Sequence, residues 1–79
     1  MKTGFKFYNE GTEYTVVLYE KHGKHDLALL LYNASTDCPF LTIRDLTKMK
    51  DGYSWYWSHY FKELDDAVAD FKERRHLLK

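Results

Sequence analysis

The run from Tyr53 to Phe61, Tyr-Ser-Trp-Tyr-Trp-Ser-His-Tyr-Phe, passes after a single lysine into the acid-led segment Glu63–Leu78. Aromatic side chains favour strands, and strand side chains alternate faces. Trp55, Trp57, His59 and Phe61 are therefore expected on one face, with Ser54, Tyr56, Ser58 and Tyr60 on the other. In the following segment, Leu64, Ala67, Val68, Phe71 and Leu78 form one apolar stripe at helical spacing. Glu63, Asp65 and Asp66 lead it and Lys72, Arg74, Arg75 and Lys79 close it, matching the helix macrodipole at both ends. Asp70 and Arg74 stand four apart, a pairing worth ~0.2–0.5 kcal/mol. The simplest joint solution lays the stripe over the Trp/Trp/Phe face. The rest of the chain has to fit around that unit.

Upstream, Gly4–Tyr8 alternates Phe5 and Phe7 with Lys6 and Tyr8, as a first strand would. Asn9-Glu-Gly-Thr12 is hairpin chemistry, because Asn and Gly tolerate positive φ. Glu13–Lys21 is β-branched and aromatic, the clearest strand in the chain. His22-Gly-Lys-His25 makes a second turn, and the short apolar run within Asp26–Asn33 reads as a third strand. Ala34-Ser-Thr-Asp37 is a turn, Pro39 holds Cys38 extended, and Phe40–Asp45 forms a fourth strand. Thr47-Lys-Met-Lys-Asp-Gly52 reads as a polar loop into the aromatic strand. The expected fold class is α+β: an antiparallel five-stranded β-meander with one C-terminal helix packed on one face, all in a single domain, 1–79.

So short a chain buries only ~60–65% of its unfolded surface, so the core must be dense in large side chains. Two Trp, five Phe and seven Tyr supply that area. A single cysteine, Cys38, cannot form an internal disulfide. No apolar run approaches the ~18 residues of a membrane span, and the start lacks the apolar segment of a signal peptide. The expected location is cytoplasmic. Twelve basic residues balance twelve acidic ones, which counts against a nucleic-acid partner held by excess positive charge. Near-zero net charge also removes a barrier to self-association.

One helix covers one face of a sheet. By strict alternation, the covered face carries Phe5, Phe7, Tyr14, Val16, Leu18, Leu27, Leu29, Leu31, Leu41, Ile43, Trp55, Trp57 and Phe61. The opposite face then carries Tyr8, Val17, Tyr19, Leu30, Tyr32, Phe40, Tyr56 and Tyr60, interleaved with Lys6, Thr15, Thr42, Arg44, Ser54 and Ser58. Tyrosine offers large rigid area plus a hydroxyl and is favoured at protein interfaces. Tyr8, Tyr19, Tyr32, Arg44, Tyr56 and Tyr60 are the candidate binding residues. Against this, tyrosine is an ordinary strand former, and a β-bulge would change which residues share a side.

Chemistry is thinly represented. His22, His25 and Cys38 could bind zinc in principle, but they lack a fourth ligand at a recognised spacing. His76, near the helix end, suits the dipole, and Asp65 with Asp66 suits its start. His59 has no Ser or Cys beside it at nucleophile spacing. Cys38 has no visible base or helix N-terminus to lower its pKa. Gly4, Gly11, Gly23 and Gly52 are scattered through turns and make no phosphate loop. No catalytic residue, metal or cofactor is expected, and the chain reads as a non-enzyme.

The segments Glu13-Tyr-Thr-Val-Val-Leu-Tyr, His25-Asp-Leu-Ala-Leu-Leu-Leu-Tyr and Cys38-Pro-Phe-Leu-Thr-Ile resemble the opening of small accessory proteins of conjugative elements and phages of Gram-positive gut bacteria. The closing Phe61-Lys-Glu-Leu-Asp-Asp-Ala-Val-Ala-Asp-Phe is a strand-to-helix pattern common to many small α+β domains. The resemblance brings no catalytic motif. It implies an accessory protein that binds, and in some cases inhibits, a host or defence component. The expected partner is another protein or a second copy of the chain. A single-stranded nucleic-acid binder, with bases stacked on the tyrosines beside Lys6, Arg44, Lys48 and Lys50, is the alternative. A small metal-binding or hydrolytic protein is the third reading.

Overall fold

The computed structural model describes residues 2–23, 25–34, 37–50 and 52–77. Lys24, Ser35, Thr36, Asp51, Leu78 and Lys79, which enter the expected turns and helix end, lie outside the described residues. Five strands, β1 (Lys6–Asn9), β2 (Thr12–Glu20), β3 (Leu27–Tyr32), β4 (Phe40–Met49) and β5 (Gly52–Phe61), precede one helix, α1 (Leu64–Leu77). They pair in chain order as an antiparallel meander. The α+β meander read from the sequence is the architecture of the chain.

The first turn forms as its residues demand. Asn9 pairs with Thr12, and the two residues between them, Glu10 and Gly11, have φ of 52° and 80°. Two positive φ values in a two-residue loop define a hairpin whose twist matches its strands. One expected boundary is wrong. The supposed polar loop from Thr47 is largely strand, because β4 runs on to Met49, which pairs with Gly52.

The sheet is apolar on both faces and buries both. On the helix side, Leu27, Leu29, Ala67 and Phe71 form one buried cluster, flanked by Val17, Leu18, Phe40, Phe61 and Val68. On the opposite side, Phe7, Val16, Ala28, Leu30, Leu41, Ile43 and Leu46 form a second, flanked by Tyr14, Tyr19, Tyr32, Tyr53 and Trp55. Among the described residues no helix covers this second cluster; the sheet curls over it. β1 and β5 are opposite edges of the sheet, yet the Phe7 and Tyr53 ring centroids lie 4.6 Å apart. Tyr14 stacks on Tyr32 at 5.1 Å and meets Trp55 edge-on at the same distance. The curl is thus filled with aromatic rings, the compact way for a small chain to gain buried area.

The expected division of faces is therefore corrected. Phe7, Tyr14, Val16, Leu41, Ile43 and Trp55 line the inside of the curl, whereas Phe40, Thr42 and Arg44 lie on the helix side. The reason is register. A bulge between Val16 and Leu18 sends these two residues to opposite faces although alternation assigns them to one. Two further shifts, between Thr42 and Arg44 and between Arg44 and Thr47, offset β4 against β5. Asp45 and Trp57 sit at these irregularities, each with φ of 59°. A bulge adds one residue to one strand, bends it and strengthens the local twist.

Candidate functional site

The six candidate binding residues do not form one surface. Tyr19 and Tyr32 pack against the inner cluster. The Tyr19 hydroxyl donates to Asp26 at 2.6 Å. Burial and that bond push its phenol up to about 12. Tyr8 is exposed on β1, and its hydroxyl donates to Glu13 at 3.2 Å. Arg44 and Tyr56 are brought together as cross-strand partners, and Tyr60 pairs with Leu41 further along β5.

What the structure exposes instead is an aromatic strip along the edge of β5, with Tyr56 on the helix-side face of its partner Arg44 and Tyr60 on the inner face of its partner Leu41. Tyr56, Trp57 and Tyr60 are 64%, 70% and 55% exposed. β5 is an edge strand, so one row of its backbone groups is not engaged in the sheet ladder. Trp57 was expected beneath the helix; the bulge turns it outward. Its backbone is held in the left-handed region, which is unusual for a bulky residue. The Trp57 carbonyl accepts a hydrogen bond from Arg74 Nη2 on the last turns of α1, which fixes this geometry.

Beside the strip lies a cleft of about 220 Å³, lined by Leu27, Arg44, Trp57, His59, Arg74 and Leu77. Arg74 is only 9% exposed. Its position is legible after the fact. The apolar stripe jumps from Phe71 to Leu78, and Arg74 fills the missing inward turn. Asp70 holds it, with Arg74 Nε 3.3 Å from Asp70 Oδ2, the pair expected from the i, i+4 spacing. Burial pulls the Arg74 guanidinium below its ordinary value and the nearby Arg44 charge adds to this, while Asp70 opposes both.

Asp70 also accepts from the Thr42 hydroxyl, and His59 Nδ1 lies 3.1 Å from its Oδ2. Thr, Asp and His in one cluster invite comparison with a nucleophile–base pair. Such a pair needs the hydroxyl bonded to the imidazole. Here the Thr42 proton goes to Asp70, so the cluster works as a strut between α1 and β4. The histidines considered for zinc are each engaged with a carboxylate. His22 bonds Glu20 at 3.0 Å and His25 bonds Asp45 at 2.8 Å. Among the described residues no three His, Cys, Asp or Glu side chains are grouped as metal ligands. No described helix is long and apolar enough to cross a membrane.

Compared with protein-family models, with curated proteins and with solved structures, the chain matches none. Its function has to be argued from its own geometry.

Proposed function

We propose that this chain is a non-enzymatic protein-binding module that docks another protein along the edge of β5, where Tyr56, Trp57 and Tyr60 are exposed on either side of the strand. One observation carries the reading. Three large aromatic side chains stand more than half exposed on a single edge strand, in a chain that packs Phe7, Tyr14, Tyr32, Tyr53 and Trp55 together. Tyr and Trp are the residues most often found as interface anchors. Backbone strain at Trp57 supports the same reading, because strained conformers concentrate where a side chain must be presented. The open edge of β5 additionally offers main-chain groups to an extended segment of the partner. The resemblance noted above suggests a host or defence protein as that partner.

The test is a purified pair. A protein captured by the wild-type chain is identified, purified and titrated against the wild type and against the triple variant Y56S/W57S/Y60S. Loss of about 100-fold or more in affinity, with the variant still folded, is expected if even two of the three are anchors worth ~2 kcal/mol each. Unchanged affinity would place the contact elsewhere. Light scattering at high concentration identifies the case in which the partner is a second copy. Salt-dependent binding of oligonucleotides lost in the same variant would transfer the strip to nucleic acid.

A further inference from the structure

We infer that the cleft between the β4–β5 bulge and the end of α1 is a carboxylate-binding site, taking a monoanion carried on a small apolar group. The inference concerns the cleft beside the docking strip and does not depend on a protein partner.

Two of the residues lining the cleft, Arg44 and Arg74, each carry a buried N–H without a hydrogen-bond partner. Arg74 spends Nε on Asp70 and Nη2 on the Trp57 carbonyl, which leaves Nη1 buried with no hydrogen-bond partner. Arg44 Nε is likewise buried and unpartnered. The nearest carboxylate oxygen recorded for it, Asp45 Oδ1, is 3.6 Å away, too far for a good hydrogen bond. Buried polar groups in folded proteins are almost always satisfied, and two unmet N–H groups on arginines of one small cleft point to an absent acceptor. The two cations also repel each other, a conflict that an anion between them relieves.

Charge and size narrow the ligand. Asp70 and Asp45 already face the two arginines, and His59 and His25 are bonded to those same carboxylates. The two arginines are thus already offset by two carboxylates, so a single added negative charge fits better than a phosphate dianion. Arginine forks match the planar carboxylate. Leu27, Leu77 and Trp57 supply apolar lining for whatever carries it. At about 220 Å³ the cleft is smaller than the ~300–1,000 Å³ of drug-sized sites. It suits one aromatic or branched group and excludes a nucleotide.

The experiment follows the Trp57 indole N–H resonance, assigned with W57F, during titration with benzoate, benzamide and inorganic phosphate. Benzoate should shift it saturably. Benzamide, which has the same shape without the charge, and phosphate, which has the charge without the apolar body, should bind at least about tenfold more weakly, as expected for losing a charge-assisted hydrogen bond or the apolar contact. A parallel titration with N-acetylphenylalanine names the source: tighter binding than benzoate indicates a peptide C-terminus, weaker binding a free acid. Arg44→Gln should raise the benzoate Kd about tenfold, and Arg74→Met should do the same or more. If Arg74→Met does not fold, Arg44→Gln decides alone, because the Arg44 side chain is 36% exposed. Equal shifts by benzoate and benzamide, no saturable shift by either acid, or an unchanged Kd in Arg44→Gln would overturn the assignment.

Discussion

Tyr19 illustrates how one side chain changes meaning between sequence and structure. Counted along β2 it belonged to the face opposite the helix, and there it lies with Leu30 and Tyr32; but that face is closed by the curl, so Tyr19, paired with Ala28, packs against the inner cluster. Its hydroxyl then reaches Asp26, whose other carboxylate oxygen is buried without a partner. Ionising the phenol would place two negative charges 2.6 Å apart, which together with burial raises its pKa from 10.0 to about 12. A folded pKa above the unfolded one stabilises fully below the unfolded value and loses that contribution as pH rises through the folded one. Stability should therefore fall between pH 10 and about 12, and Tyr19→Phe should remove that dependence. At neutral pH the same substitution should cost about 1 kcal/mol in urea unfolding, by taking the donor from Asp26. An unaltered alkaline profile in Tyr19→Phe would show that the shift belongs elsewhere. By contrast, Asp70 and Arg74 were legible as a pair from spacing alone, since a helix fixes i, i+4 neighbours without help from the rest of the chain.

At the scale of elements, the strands and the helix were legible because they rest on local signals: β-branched runs, turn residues, helical spacing and terminal charges. Their faces were not. Side-chain parity passes from strand to strand only through register, and one inserted residue inverts it. Leu27–Leu31 did carry a warning, since an unbroken apolar run is what a strand buried on both faces looks like. The bulge at Trp57 gives a direct test. A left-handed backbone costs a non-glycine residue roughly 1–2 kcal/mol, and Gly repays part of this in unfolded-chain entropy. Trp57→Gly should thus keep stability within about 1 kcal/mol of wild type while abolishing partner binding; a large destabilisation would mean that the exposed ring serves the fold. The helix is tied to the far end of β2 by Arg75 Nη1, which donates to Glu20 Oε2 at 2.7 Å. Burial nudges the Glu20 carboxyl upward, but the bonds from Arg75 and His22 outweigh it and hold the pKa below 4.5. The sign is opposite to that of Tyr19: this contribution is present above pH 4.5 and is lost as pH falls through the depressed value. Glu20→Gln should flatten the acid limb by no more than ~1 kcal/mol, the range of an exposed pair, as read from urea midpoints across the acid range.

For the molecule as a whole, the decisive event is the approach of the two edge strands. A flat five-stranded sheet with one helix leaves a face to solvent, and that geometry was the basis for expecting an exposed tyrosine surface. Twist reinforced by three register shifts brings β1 against the start of β5, and the aromatic rings of the second face close on one another. Gly52 sits at the seam with φ of 145°, and a Cβ placed there would lie 3.5 Å from the Tyr8 carbonyl oxygen. That contact is ordinary, so backbone conformation is what demands glycine. Gly52→Val should therefore cost about 1–3 kcal/mol through strain at the seam. Phe7→Ala should cost more, about 3–5 kcal/mol, because Phe7 is 5% exposed and packs against Tyr14, Tyr53 and Trp55. Domains of this size are stable by only roughly 0.05–0.15 kcal/mol per residue, so Phe7→Ala removes a large share of the total. On an open sheet the same edge-strand ring would be half solvated and its loss would be mild. Denaturant unfolding of the two variants separates the cases: a Phe7→Ala cost below about 1 kcal/mol, well under the range for a buried ring, would mean that the edges do not close in solution.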